Sequence, residues 1–423
     1  MCESGRIVLM IGKVWPESRS SAAGSRMLQL IDLFSDHGFE THFASAAVKN
    51  KNSDDLKEKV VESHEIKLNN SSFDTFVKEL NPAIVLFDRF MTEEQYGWRV
   101  AEQCPDTIRV LDSEDLHSLR HTRQKQFKKG VSFEPKFMYR EEITKREIAS
   151  IYRSDLTLII SSFEMELLKE YFQLTDKSLH YLPFLYAPLN EQCLSDWPNY
   201  EERSGFIMIG NYLHEPNRDA IQWLKDKIWP LIRSKLPKSE LNVYGSYISQ
   251  SGFQMNNRED GFHVRGRAAD LDSVIPQARI MLAPLRFGAG LKGKLFDAMV
   301  YGTPSVTTSI GIEGISDAQN WCGKVADEDE VFADAAVELY GNKTAWCDAQ
   351  NRGIEMINND FLMNHHVPPF IEKLNDLIIN VKAHRRNRFI SSMLVHHTMA
   401  SHKYMSKWIE EKGKKGPINH ENG

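Results

Sequence analysis

The feature that most constrains this chain is an alternation, run through twice, of short apolar stretches with longer amphipathic ones. In the first half the apolar stretches are Arg6–Ile11, Phe39–Ser45, Ala83–Asp88, Thr107–Asp112, Asp155–Ile160 and Leu179–Pro183. They are nearly continuous, the pattern of strands buried on both faces. Helical periodicity occupies the gaps, at about Ser21–His37, Ser72–Leu80, Glu93–Gln103, Lys136–Tyr152 and Ser162–Tyr171. Strand alternating with helix implies βαβ units, a parallel sheet and right-handed crossovers.

The pattern breaks at Pro183, Pro188 and Pro198, a polar stretch that reads as a linker. A second series follows. Its strands are expected at Gly205–Gly210, Glu240–Gly245, Phe262–Arg265, Arg279–Ala283 and Pro304–Thr308. Its helices are expected at Pro216–Ser234, Ala269–Ile275, Leu291–Tyr301, Val331–Tyr340 and Lys343–Asn359. The reading is therefore α/β, with two doubly wound Rossmann-like domains facing a central crevice. They span 1–190 and 198–367. Residues 368–423 read as terminal helices packing back on the first domain, with Ile390, Met393, Leu394, Met405, Trp408 and Ile409 at helical spacing and a frayed tail from Lys412. Ligands of such sheets bind in the crevice at the carboxyl ends of the strands.

Composition excludes several function classes. With 41% hydrophobic and 26% charged residues the chain is expected to be ordered. A net charge of -6 argues against nucleic-acid binding by bulk charge. The five cysteines are far apart, which points to a reducing compartment without disulfides or a zinc site. No leader pattern and no membrane-spanning apolar run is present, so the expected location is cytoplasmic, with peripheral contact at the inner membrane face left open. No cofactor and no metal is expected, since no D-x-D motif ends a strand.

The chemistry concentrates in Ala283-Pro284-Leu285-Arg286-Phe287-Gly288-Ala289-Gly290-Leu291-Lys292-Gly293-Lys294-Leu295-Phe296-Asp297. A strand ends, a glycine-rich turn follows, and a helix begins. Helix amino ends offer unpaired N–H groups and a positive dipole, and glycine lets a diphosphate approach the backbone. Lys292 and Lys294 add charge where phosphate would lie. Asp297, three residues after Lys294 and seven after Gly290, shares their helix face and can accept hydrogen bonds from a ribose diol. The competing reading is an ordinary strand-to-helix turn with surface lysines.

Several further pieces fall in order around that run. They are Phe206-Ile207-Met208-Ile209-Gly210-Asn211-Tyr212, His214-Glu215-Pro216-Asn217, Ile228-Trp229-Pro230, Val243-Tyr244-Gly245, and Gly302-Thr303-Pro304-Ser305-Val306-Thr307-Thr308 with Glu313-Gly314. Together they resemble the donor domain of GT-B-fold glycosyltransferases, the retaining family 4 and its near relatives. The resemblance implies a nucleotide-diphosphate-sugar donor site. It places Gly210, Asn211, Gly288, Gly290 and Leu291 around the donor, and Arg267 near the base; Glu313, after Thr308, is a candidate for the sugar end, with helix capping or a surface role as the alternative. The family carries two acids spaced as Glu-x7-Glu. Asp297 occupies the ribose-binding position, and Ala289 stands where the sugar-contacting acid is usual. The basic pair usual after the first strand of this domain is absent at Asn211–Pro216, which leaves phosphate neutralisation to Lys292 and Lys294.

In the first half, Ser21 and Gly24 lie in a small, polar loop after strand one, which in GT-B enzymes sits near donor phosphate and acceptor; ordinary capping is the alternative. His117, after the fourth strand, is a candidate for contact with the transferred sugar, and Asp115 for organising it. Arg120, Arg123, Lys125, Lys128 and Lys129 form a basic run that reads either as a solvated helix face or as an anionic-membrane contact. The expected function is sugar transfer from a nucleotide-diphosphate sugar to an unknown hydroxyl acceptor, with retention. The alternatives are a non-catalytic nucleotide-sugar-binding relative or partner subunit, and an epimerase of the same fold.

Overall fold

Seven parallel strands form the first sheet: β1 (Arg6–Gly12), β2 (Phe39–Ser45), β3 (Glu62–Glu65), β4 (Ile84–Asp88), β5 (Ile108–Asp112), β6 (Leu156–Ile159) and β7 (Leu179–Tyr181), in the order β3-β2-β1-β4-β5-β6-β7. Six more form the second: β8 (Phe206–Ile209), β9 (Leu241–Tyr244), β10 (Phe262–Gly266), β11 (Ile280–Ala283), β12 (Ser305–Thr307) and β13 (Gly323–Val325), in the order β10-β9-β8-β11-β12-β13. The coordinates are a computed structural model that describes residues 6–59 and 61–414, with no account of the side chains of 397–399. The expected architecture of two doubly wound parallel sheets is what the chain adopts.

Helices cover both faces of the sheets. The first series is α1 (Ala22–Asp36), α2 (Ser72–Leu80), α3 (Arg89–Gln103), α4 (His117–Lys128), α5 (Glu142–Arg153) and α6 (Ser162–Phe172). The second is α7 (Glu191–Ser195), α8 (Glu215–Trp223), α9 (Trp229–Lys235), α10 (Gln250–Phe253), α11 (Gly293–Val300), α12 (Ser309–Ile312), α13 (Asp329–Gly341) and α14 (Lys343–Asp360). Two long helices, α15 (Met363–Arg386) and α16 (Phe389–Lys414), close the described chain.

The unbroken apolar runs have a direct cause in this layering. Val8, Met10, Ile84 and Leu86 enter one core, and their neighbours Leu9, Ile11, Val85 and Phe87 enter the core on the opposite face. Successive strand residues point to opposite faces, so a sheet covered twice needs apolar residues at both parities.

The terminal helices return to the first sheet. Val367, Phe370, Leu374, Leu377 and Val381 of α15 join the core that holds β1 and β4. Arg385 pairs with the buried Asp155 at 2.6 Å, and Arg99 of α3 donates to Ser406 of α16 at 3.1 Å.

Several details differ from the sequence expectation. β3 and β13 were not anticipated, because β3 reads Glu-Ser-His-Glu and has no apolar run. The stretch Ala269–Ile275 forms turns, and the helix expected over Lys136–Tyr152 is broken at Glu141, whose backbone is extended. The helix expected over Pro216–Ser234 contains one π turn at Leu224–Ile228. Pro230 has no N–H to donate there, and the ladder widens instead of breaking. Ile390, Met393, Met405, Trp408 and Ile409 are exposed, and among the described side chains of α16 Ser406 is the buried one. The turn expected to fray at Lys412 is helical to Lys414, and the rest of that tail lies outside the described residues. Among the described residues no helix is long and apolar enough to cross a membrane.

Candidate functional site

A cleft of about 550 Å³ lies between the carboxyl ends of the two sheets, a volume ordinary for a small-molecule site. Its first-domain wall comes from residues just past β1, β4, β5 and β6, and its second-domain wall from residues just past β8, β9, β10 and β11.

Two helix amino ends meet at its centre. Gly293, the first residue of α11, lies so near Ala22, the first residue of α1, that an added Cβ would come within 2.5 Å of the Ala22 Cβ. Glycine is required there by close approach of one helix to the other. Neither helix carries an acid in its first turn, so both positive dipole ends are uncompensated. Ser21 caps α1 by accepting from the Gly24 N–H at 3.1 Å. Gly24 itself is buried within α1. A Cβ there would strike the Glu17 backbone at 2.4 Å, so its small size seats the loop against the helix. It lines a smaller neighbouring cavity of about 270 Å³, not the main cleft.

Lys292 and Lys294 enter the cleft beside these helix ends. Lys292 donates to the Gly290 carbonyl at 2.6 Å and Lys294 to Asn217 Oδ1 at 2.6 Å. Burial pulls both down to about 8. Burial pushes Asp297, one turn further along α11, up to about 7, against the pull of Lys294. Cations and acid therefore sit where small shifts in pH change their charge.

His117 is the first residue of α4, with Nε2 3.5 Å from Asp115 Oδ1 and its ring edge-on to Phe90. Burial drives it down to about 3 even though Asp115 opposes this, so the ring is neutral near pH 7. It can hold a hydroxyl but has no proton to give as an acid. Burial raises Asp115, but Arg120 and His117 outweigh it and hold the carboxylate at about 2. Arg120 grips Asp115 at 2.6 Å and contacts His214 Nε2 at 3.0 Å from across the cleft.

The glycine run is fastened to the first domain. Gly290, at φ +64°, has no room for a Cβ against Asp115, and its N–H donates to Glu164 Oε1 at 2.8 Å. The same oxygen accepts from the Leu116 N–H at 3.1 Å. The Gly288 carbonyl accepts from Arg123 at 2.9 Å. The backbone of Gly288–Gly290, placed around the donor by the resemblance, is thus already engaged at three of its polar groups. Ala289 lines the cleft between them.

Of the other expected residues, Gly210, Asn211, Leu291 and Arg267 all line the cleft. Gly210 faces the Asn217 side chain, which would sit 2.8 Å from a Cβ at that position. Glu313 does not line the cleft. It forms a two-pronged pair with Arg123 at 2.6 and 2.7 Å, and Arg123 also lies against the rings of Phe133 and Phe163. The basic run is not one charged face either. Arg120 and Arg123 point inward to acids, and Lys125 pairs with Glu141 at 2.6 Å.

Some of the cleft was not legible in the sequence. Arg89 and Glu114 follow β4 and β5 and both line the cleft. Both adopt a left-handed backbone, φ 70° and 59°, without being glycine. Such strain persists only where the surroundings impose it, and it concentrates at functional sites. Burial and the neighbouring Asp112 push Glu114 well above the ordinary carboxyl range. Lys13, Asn217, His214 and Tyr186 also line the cleft. His214 and Asn217 belong to a stretch that carries the family resemblance, and for the others only a position after a strand hinted at this.

Comparison with known proteins agrees with this geometry. Residues 203–342 match the family described as Glycosyl transferases group 1. No match is found among curated proteins. Solved structures of the same fold include sucrose-phosphate synthase from Thermosynechococcus elongatus, at 13% identity and TM-score 0.65, over 88% of this chain and 99% of that one. Anabaena HepE in complex with UDP and glucose has 11% identity and TM-score 0.62, over 88% and 100%. The pneumococcal O-GlcNAc transferase GtfA in complex with UDP and GlcNAc has 12% identity and TM-score 0.61, over 89% and 100%. The chain therefore has the GT-B fold, and residues 203–342 are similar to group 1 glycosyltransferases.

Proposed function

We propose that this chain moves a sugar from a nucleoside-diphosphate sugar to a hydroxyl acceptor. The observation that carries the reading is the convergence of two helix amino ends, Lys292 and Lys294 on one point of the cleft. That point suits a diphosphate. Asp297 then faces the ribose and Arg267 the base. The sugar extends toward His117, Asp115 and Ala289.

In this reading the work of the site is electrostatic. As the glycosidic bond breaks, negative charge grows on the departing diphosphate. Fixed dipoles and ammonium groups stabilise that charge most in a dry site. The resemblance to the retaining family suggests departure of the diphosphate and attack of the acceptor on the same face, with retention. UDP-sugars are the first donors to test, because HepE and GtfA are both described with UDP.

A thermal-shift screen with UDP, GDP, ADP and CMP, followed by product analysis with the matching sugar donors, tests the proposal. A ligand at 100 times its dissociation constant should stabilise by about 2.7 kcal/mol. No shift with any nucleotide, and no product from any donor, would sink it. Ala289 favours one second reading, a protein that binds the donor without transferring the sugar. A clear shift with no product across a range of acceptors would select that reading.

The charges also set a pH profile. In the free protein Lys292 and Lys294 are protonated below about 8 and lose that charge above it. Asp297 is ionised above about 7 and neutral below it. For the donor, kcat/KM is expected to peak between these limits and to fall on both sides. A profile that stays flat through about 8 would remove the lysines from donor binding.

A further inference from the structure

At the outer edge of the first sheet, far along the chain from the glycine run, β2 and β3 each carry a Glu-x-His unit: Glu40-Thr41-His42 and Glu62-Ser63-His64. The parallel register sets His42 opposite Glu62 and Ala44 opposite His64. Residues two apart share a face, so both units project from the same side of the sheet. The His42 and His64 rings stack at 5.2 Å with 7° between their planes, and Phe76 closes on His64 at 4.8 Å.

The nitrogens converge. His42 Nδ1 lies 2.9 Å from His64 Nε2, and Glu62 Oε2 lies 3.7 Å from the same His42 nitrogen. One ligand atom from each of the three residues falls within 4.8 Å of the others. Behind them, Glu40 Oε1 stands 3.1 Å from His42 Nε2. A carboxylate there accepts the Nε2–H, and this assigns the tautomer. The Nδ1 lone pair of His42 is then left facing His64 and Glu62.

We propose that His42, His64 and Glu62 bind a divalent transition metal of the zinc class, with Glu40 as the positioning residue behind His42. Two neutral imidazoles and a carboxylate are a common donor set for such ions. A carboxylate on the far nitrogen of a ligating histidine is the usual outer-shell arrangement, and it makes the imidazole a better ligand. Without metal, the His64 Nε2–H donates to His42 Nδ1. On binding, the cation takes that place and the His64 proton moves to Nδ1. Two nitrogens on a tetrahedral zinc stand ~3.3 Å apart, so a small opening of the 2.9 Å contact suffices. Glu62 is exposed and His42 is buried, so the fourth coordination position faces water.

The consequence is structural. β3 is the outermost strand of the sheet and is polar throughout. A bound cation would pin it to β2 and cover a strand edge otherwise open to pairing. None of these four residues lines the cleft, so the proposal does not rest on the donor reading.

The test uses the full chain, stripped with chelator and titrated with Zn²⁺ and, separately, Co²⁺. Wild type should take up one tight equivalent, show the ligand-field bands of four-coordinate Co²⁺ and melt higher with Zn²⁺. His42 is buried, so the variants are His64→Ala and Glu62→Gln at the more open positions. Both should lose the bands and the thermal gain. Glu40→Gln should retain the site with roughly 10–100-fold weaker affinity. His117→Ala should bind as wild type does. The proposal is overturned if wild type takes up no tight equivalent, or if His64→Ala binds like wild type. Loss of the equivalent in His117→Ala would place the cation in the cleft and overturn it equally.

Discussion

Replacing Lys294 by alanine should lower kcat by roughly 10²–10³-fold with the fold intact. The Lys294 ammonium sits at the foot of α11 and, among the described residues, donates to Asn217 Oδ1. Burial, the largest influence, with a smaller push from Lys292, pulls it down to about 8 against Asp297, which marks a site poorly supplied with water. In such surroundings one unit of charge stabilises a growing anion far more than it does in bulk solvent. The charge matters most when the diphosphate leaves, so the loss should fall on kcat at saturating donor as well as on donor affinity. Stability should change little, because burial already disfavours the charged form. The decisive measurement is kcat for Lys294→Ala at saturating donor, with its melting temperature as the control. An unchanged kcat would exclude Lys294 from stabilising the leaving group.

Arg123→Ala should raise the donor KM about tenfold to a hundredfold, and removing the charge of Glu313 in the same chain should largely restore it. Arg123 reaches from α4 across the domain boundary. It holds Glu313 with two hydrogen bonds and the Gly288 carbonyl with a third. Among the charges acting on Lys292, Glu313 is the strongest, after burial. Without Arg123 that carboxylate is left poorly hydrated, and Lys292 is the cation at hand to neutralise it. A lysine neutralising Glu313 is withdrawn from the diphosphate. Breaking a buried pair from one side also costs about 3–5 kcal/mol of stability. Some of the KM effect would then be confused with unfolding if the single variant stood alone. The double variant Arg123→Ala/Glu313→Gln separates the two, since adjacent charges couple by about 0.5–3 kcal/mol. If donor KM stays high in the double variant, the arginine acts through the Gly288 loop and not by restraining Glu313.

The site can be divided by how its residues are recognisable. Lys292, Lys294 and Asp297 share one short stretch of chain, where Lys292 precedes α11 and the helix sets Lys294 and Asp297, three residues apart, on one face. Their spacing alone told where they would point. Glu313 shows the limit of that logic. Its place after β12 suggested the sugar end of the cleft, but its partner Arg123 lies 190 residues away, and no local pattern announces an ion pair of that span. The basic run from Arg120 to Lys129 misleads for the same reason. Its charges look like a surface until Glu313 and Glu141 arrive from elsewhere in the fold; Asp115 stands only five residues from its partner Arg120. The backbone strain at Arg89 and Glu114 left no trace in the sequence, because left-handed backbone at a charged residue is imposed by packing and not by propensity.

What the sequence by itself determined is the class of the fold and which residues gather at the proposed donor end of the cleft. Both depend on short-range periodicity, which is written residue by residue: apolar runs for strands covered on both faces, then glycines, lysines and an acid at helical spacing. What only the tertiary structure decided is which charges meet. Arg123 finds Glu313, Glu164 finds Gly290, and His42 finds His64 because parallel strands and crossover helices bring distant segments together. Charge pairing depends on distance in space, and distance along the chain carries almost none of that information.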